Sequence, residues 1–165
     1  MFLFWLLLAG TLQVVCPPWR HMAQPPFPFL LTVVLYAALR KPPLGFVLTA
    51  IVAGIIEDAM SLAPLGTSSS AFLAAGAFAF LVRPSAEGEI RFGPVLWRGA
   101  LCAAVATAAM ALLLRLRGFS LMPFPALCRR MLGAALLGAL LAPVQCWLMD
   151  RLEGLLGTRT PAPEP

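Results

Sequence analysis

Long apolar segments, separated by short stretches that contain proline or charged residues, most constrain what this chain can fold into. Taking arginine, lysine, proline and acidic residues as boundaries gives six segments. A helix that crosses the hydrocarbon core of a bilayer needs roughly 20 apolar residues, and several segments are shorter. The segments run from Met1 to Cys16, Met22 or Phe27 to Leu39, Leu44 to Leu62, Thr67 to Val82, Val95 to Leu114, and Ala126 to Met149. The pattern predicts about six short transmembrane helices.

The amino-acid composition excludes a water-soluble globule. Of 165 residues, 61% are hydrophobic and 12% are charged, whereas an ordinary soluble domain has roughly 25% charged residues. A single domain of this size exposes much of its surface, so a chain this apolar needs the lipid bilayer as its solvent. We therefore predict an all-α fold, a polytopic integral membrane bundle without a soluble domain.

One domain accounts for the chain, because no linker or shift in composition divides it. We expect a single transmembrane domain over residues 1–157 and a disordered, Pro-rich C-terminal tail over 158–165. The first apolar segment resembles a secretory signal that ends in cysteine. It has no basic leading region, and Val14-Val15-Cys16 lacks the small residues of a cleavage site. We interpret it as a retained first helix.

The net charge of +5 comes from basic residues that lie between the apolar segments. Nucleic-acid binding needs a clustered basic face, so this distribution excludes that class of protein. Cytoplasmic loops of membrane proteins carry the larger share of lysine and arginine. With the N-terminus inside, seven basic residues are cytoplasmic and five lie on the opposite side. The distribution favours two cytoplasmic termini.

Motifs for catalysis, cofactors or metals are not found in the sequence. The four cysteines show no CxxC spacing, and the single histidine, His21, has no partner nearby. The sequence contains no Walker loop, nucleophile elbow or histidine-rich metal motif. We therefore expect no catalytic, cofactor-binding or metal-binding residues, and a protein that is not an enzyme.

Glu57 and Asp58 are the most unusual local feature, because they place two carboxylates near the end of an apolar helix. A charge inside the membrane costs several kcal/mol without a partner or water, and an acid near a helix C-terminus opposes the helix dipole. Either the pair marks the membrane surface, or Asp58 points into the bundle and pairs with an arginine. The arginines expected on the same side are Arg115, Arg117, Arg129 and Arg130.

Small residues and a tight turn accompany these acids. Gly54 shares the face of Asp58, and small residues at four-residue spacing on the fifth and sixth helices predict close helix packing. Pro64-Leu65-Gly66 predicts a turn in which glycine adopts positive φ, with Thr67, Ser68 or Ser69 capping the next helix. The candidates for structural or partner-binding roles are Gly54, Glu57, Asp58, Pro64, Gly66, Arg129 and Arg130.

The region from about Phe29 to Phe80 resembles the rod-shape-determining protein MreD family. That family shows a helix ending in Tyr-x-Ala-Leu-Arg, a basic-proline turn, a glycine-bearing helix ending in an acid, and a Pro-Leu-Gly turn. The matching positions are Tyr36 to Arg40, Pro42-Pro43, Gly54 with Asp58, and Pro64-Leu65-Gly66. The resemblance covers about a third of the chain.

The resemblance implies a non-enzymatic subunit of the bacterial cell-wall elongation complex in the inner membrane. Such a subunit would bind the membrane-anchored scaffold protein MreC and, indirectly, the actin-like filament protein and the peptidoglycan synthases. The alternative is the substrate-binding membrane subunit of an energy-coupling-factor transporter, with a pocket lined by groups such as Gln145, Thr107 and Asp58. A vitamin-sized ligand needs several convergent polar groups, and the few in this chain favour the assembly subunit.

Overall fold

The computed structural model describes residues 2–16, 27–61, 64–83, 92–118 and 123–155. These residues form six α-helices and no strand. The ends of each helix are within a few residues of the ends of one apolar segment. The exception is the last helix, which ends six residues after its segment. The tail expected at 158–165 and the loop that contains His21 lie outside the described residues. The helices are α1 (Phe2–Val15), α2 (Phe29–Arg40), α3 (Pro43–Ser61), α4 (Thr67–Leu81), α5 (Phe92–Leu116) and α6 (Phe124–Leu155).

Helix length divides the bundle into two groups. Among the described residues, α3, α5 and α6 are long and apolar enough to cross a membrane, with 19, 25 and 32 residues. The apolar helices α1, α2 and α4 have 14, 12 and 15 residues. At 1.5 Å per residue α2 extends only about 18 Å, less than the roughly 30 Å of hydrocarbon. The prediction of an all-helical membrane bundle is confirmed.

Helix α2 lies at the centre of the bundle. Ten consecutive residues, from Leu30 to Leu39, are buried, and α2 contacts each of the other five helices. Its sequence is apolar around its whole circumference, which suits a helix with neighbours on every side. The outer helices instead expose large apolar side chains such as Leu81, Leu112 and Leu140, as expected where lipid is the solvent.

The close contact between α5 and α6 depends on glycine. A Cβ atom added to Gly99 would lie 2.5 Å from the carbonyl oxygen of Gly138, and one added to Gly138 would lie 2.7 Å from the Cβ of Ala103. Backbones can approach this closely in a membrane bundle only where side chains are small. The small residues on these two helices therefore allow the close packing that the sequence predicted, and the structure shows that the two helices pack against each other.

Polar interactions gather at the two opposite ends of the bundle. At the first, here called the Arg40 end, Arg40 Nη2 lies 3.1 Å from Asp150 Oδ1, and Lys41 Nζ lies 3.4 Å from Glu153 Oε1. The second, here called the Gly66 end, holds the turn between α3 and α4, the end of α5 and the start of α6. This arrangement agrees with helices that alternate in direction along the chain.

Candidate functional site

Asp58 joins α3 to the first turn of α4. The Gly66 N–H donates to Asp58 Oδ2 at 2.7 Å, and the Ser68 N–H donates to Asp58 Oδ1 at 2.9 Å. The first N–H groups of a helix have no partner within that helix, and the positive end of the helix dipole lies there. Asp58 is 1% exposed, so its carboxylate caps α4 in a site that excludes water.

The cap differs from the one that the sequence predicted. Gly66 adopts φ 90°, as expected for the turn, but it provides no side-chain cap. The Thr67 hydroxyl donates to the carbonyl oxygen of Pro64 at 2.7 Å. Prediction of a Thr67, Ser68 or Ser69 cap is therefore wrong. The acid of the preceding helix takes that role because it reaches the free N–H groups across the turn.

The arginine partner predicted for Asp58 is replaced by these backbone N–H groups. The ion pairs of Arg40 with Asp150 and of Lys41 with Glu153 lie at the Arg40 end, away from Asp58. A carboxylate that accepts two N–H hydrogen bonds at a helix N-terminus is already compensated. Asp58 does point into the bundle, as one of the two interpretations of the sequence predicted.

Gly54 lets α3 approach α4 one turn before Asp58. A Cβ atom at this position would overlap the backbone of Ser69. The Ser69 hydroxyl donates to the carbonyl oxygen of Ile51 at 3.2 Å, which adds a second link between the two helices. Gly54, Asp58 and Gly66 therefore act together, because the close contact brings the carboxylate within reach of the turn.

Glu57 is also buried but faces different partners. Gln13 Nε2 donates to Glu57 Oε2 at 2.5 Å, and Gln13 Oε1 accepts a hydrogen bond from the Leu30 N–H at 3.4 Å. Arg130 interacts electrostatically with Glu57. The structure thus places one of the predicted arginines beside Glu57, whereas Arg129 is exposed. Both acids are therefore buried against protein groups instead of lying exposed on the surface of the bundle.

A cavity of about 120 Å³ lies at the Gly66 end. It lies between α5 and α6, nearer the Gly66 end than their contact at Gly99 and Gly138. The first residues of α2 form part of its wall. Its apolar wall comes mainly from α4, α5 and α6. Its polar lining consists of Gln13, Glu57, Thr107, Arg115 and Arg130.

The pocket proposed from the sequence has a different lining. Of the three residues named for it, Thr107 lines the cavity, while Asp58 caps α4. Gln145 lies elsewhere: its side-chain oxygen accepts a hydrogen bond from the Thr32 hydroxyl, and its Nε2 donates to the carbonyl oxygen of Phe29 at 3.2 Å. Gln145 therefore connects α6 to the start of α2.

Gln13 and Glu153 have structural roles that the sequence analysis missed. Gln13 is the one amide in the first apolar segment, and a polar residue inside such a segment was an available signal. Glu153 lies beyond the predicted end of the sixth helix, where it accepts a hydrogen bond from the Tyr36 hydroxyl at 3.1 Å. Its position 117 residues from Tyr36 gave no local sign of this contact.

The chain matches no protein-family model, and no curated protein or solved structure is significantly similar to it. Within the described ranges, no group of three or more histidine, cysteine or acidic side chains is placed to hold a metal ion. The hydrogen bonds that Asp58 accepts and the cavity beside Glu57 are therefore the features that bear on function.

Proposed function

We propose that this protein is a non-enzymatic inner-membrane subunit of the bacterial cell-wall elongation complex. In this role it binds a membrane-anchored scaffold partner of the MreC type and helps to maintain cell shape. Contacts with the actin-like filament protein and the peptidoglycan synthases are indirect. The observation that carries the proposal is the bonding of Asp58 to Gly66 and Ser68. It joins the two most distinctive parts of the MreD-like sequence, the acid and the Pro-Leu-Gly turn.

The hydrogen-bonded start of α4 supplies a means of binding. Leu65, which precedes it, is 73% exposed, while Asp58 holds the backbone that follows at Gly66 and Ser68. A surface that is already ordered loses less conformational entropy when a partner binds, so its affinity is higher. The exposed Leu65 side chain, presented beside this hydrogen-bonded backbone, suits a partner segment that approaches from the Gly66 end.

The proposed orientation places the Arg40 end in the cytoplasm. Arg40, Lys41 and Arg83 meet there, since Arg83 Nη1 donates to the carbonyl oxygen of Lys41 at 3.4 Å. The C-terminal part of α6 lies at the same end. Basic residues are retained preferentially on the cytoplasmic side of a membrane. Both chain termini are then cytoplasmic, and the turn at Gly66 faces the periplasmic side.

Co-purification from the native bacterial host tests this function. The tagged chain is extracted in mild detergent as wild type, Leu65→Ser, Asp58→Ala and the control Ser70→Ala. Ser70 is exposed beside the same turn. We expect the scaffold partner and cell-wall synthases with wild type and Ser70→Ala, and reduced recovery with the other two. Equal recovery with Leu65→Ser would show that the partner does not contact the turn.

The alternative function is a substrate-binding membrane subunit of an energy-coupling-factor transporter. The cavity favours it, because five polar side chains line one space. Its volume of about 120 Å³ is nevertheless below the roughly 300–1,000 Å³ typical of sites for drug-sized ligands. Co-purification of an ATPase module, or of a retained vitamin-sized molecule, would establish transport and overturn the assembly role.

A further inference from the structure

The cavity at the Gly66 end is electropositive. Arg115 and Arg130 line it from α5 and α6, whereas among the described residues of its lining Glu57 alone is acidic. Glu57 Oε2 accepts a hydrogen bond from Gln13 Nε2 at 2.5 Å, and Glu57 interacts electrostatically with Arg130. The N-terminus of α2 also lies at the cavity, where Pro28 and Leu31 form part of the wall. A helix N-terminus adds positive potential, so the site as a whole favours an anion.

The remaining wall of the cavity is apolar. Met110, Leu114 and Leu127 line it together with the two arginines, and Ala106 and Ala111 are also part of its wall. An enclosed space of about 150 Å³ accommodates a benzene-sized apolar group, and this cavity has about 120 Å³. It therefore has room for a small part of a larger ligand, such as a phosphate with the first methylene groups attached to it, and the rest of the ligand would lie outside.

We propose that this cavity binds an anionic membrane lipid. The phosphate of the lipid lies between Arg115 and Arg130, and hydrocarbon contacts Met110, Leu114 and Leu127. Arginine binds phosphate through paired charge-assisted hydrogen bonds, and two arginines line this one largely apolar space. A lipid is the occupant that matches both parts of the lining, because it carries its charge and its apolar chain on one molecule. This inference does not depend on a role in cell-wall elongation.

Native mass spectrometry of the delipidated full-length chain tests lipid binding. The probes are dioleoyl phosphatidylglycerol, dioleoyl phosphatidylcholine and inorganic phosphate. We expect the anionic lipid to bind about fivefold or more tightly than the zwitterionic lipid with identical chains, because charged hydrogen bonds favour the anion. Arg115→Gln should remove most of this preference. Arg129→Gln, the matched control at an exposed arginine outside the cavity, should retain it.

A second pair of variants tests the apolar part of the site. Ala111→Leu fills the cavity, and Ala108→Leu adds the same volume on α5 outside its lining. We expect only the first to weaken phosphatidylglycerol binding, while both proteins remain folded by circular dichroism. Equal binding of the two lipids, or a preference unchanged by Arg115→Gln, would overturn the proposal. Displacement of the lipid by millimolar inorganic phosphate would do so too, by identifying a free anion as the ligand.

Discussion

The carboxylate of Asp58 accepts a hydrogen bond from the backbone N–H of Gly66 at 2.7 Å, across the turn that joins α3 to α4. An acid near the C-terminus of its own helix is unfavourable, but the same acid is favourable at the N-terminus of the next helix. The turn brings these two ends together. The hydrogen bonds thereby offset the cost of burying the Asp58 carboxylate, and they also provide an acceptor for N–H groups at the start of α4.

Removal of this cap should destabilise the protein. Asp58→Ala leaves the N–H groups of Gly66 and Ser68 without their acceptor in a buried site, at a cost of about 2–4 kcal/mol in the free energy of unfolding. Asp58→Asn retains one acceptor oxygen and should cost less. Thermal unfolding in detergent should give a lower melting temperature for Asp58→Ala than for Asp58→Asn. The exposed Ser70→Ala is the control, and an equal melting temperature for Asp58→Ala and this control would contradict the capping role.

A side chain at Gly54 should separate α3 from α4. The Cβ atom of Gly54→Ala would overlap the Ser69 backbone, so the helices must move apart at a cost of about 1–3 kcal/mol. Gly93→Ala is the matched control, because an added Cβ there meets no atom within 4 Å. Unfolding measured by intrinsic fluorescence should show a loss of stability for Gly54→Ala alone. Similar stability of the two variants would contradict the close contact.

Loss of the Gln13 amide should weaken the association of α1 with α3. Gln13→Leu removes the donor to Glu57 and the acceptor for the Leu30 N–H, which should cost about 1–3 kcal/mol because both groups are partly buried. Thr11→Ala is the control on the same helix, since that hydroxyl is exposed and bonds only to Leu8 of α1. Limited proteolysis should release α1 faster from Gln13→Leu than from the control, and equal rates would show that Glu57 does not hold α1.

The ion pair between Arg40 and Asp150 should show favourable coupling. The two side chains are 29% and 17% exposed, so we expect about 0.5–1 kcal/mol from a double-mutant cycle. The variants are Arg40→Gln, Asp150→Asn and the double variant, measured by unfolding in detergent at low and high salt. Raised salt should reduce the coupling, because ions screen partly exposed charges. No coupling at either salt concentration would mean that the contact does not stabilise the association of α2 with α6.

Local features predicted the helices well. The sequence placed α4 at Thr67 to Val82 and the structure has Thr67–Leu81, because proline, glycine and charged residues interrupt apolar segments wherever a helix has to end. The positive φ of Gly66 was predicted for the same reason, since Pro-Leu-Gly favours one type of turn. The end of α6 was placed too early, because charged Asp150 and Glu153 lie in helix beyond the apolar segment.

The partners of buried polar groups could not be predicted in the same way. Several arginines were expected on the same side as Asp58, but its actual partners are N–H groups, which every residue except proline carries. Gln13 and Glu57 are 44 residues apart, and only the association of α1 with α3 makes them neighbours. The cavity likewise forms only where α5 and α6 lie side by side beyond their glycine contact, with Pro28 and Leu31 in its wall.

The sequence by itself determined that this protein is a bundle of apolar helices, where those helices lie and where the Pro-Leu-Gly turn occurs. Hydrophobicity and turn preferences act over a few neighbouring residues, so they can be read along the chain. Only the tertiary structure decided that α2 is the central helix, that Asp58 caps α4, and that Glu57 shares a cavity with Arg130. Those outcomes depend on which helices pack together, and packing is set by the shapes of surfaces contributed by distant parts of the chain.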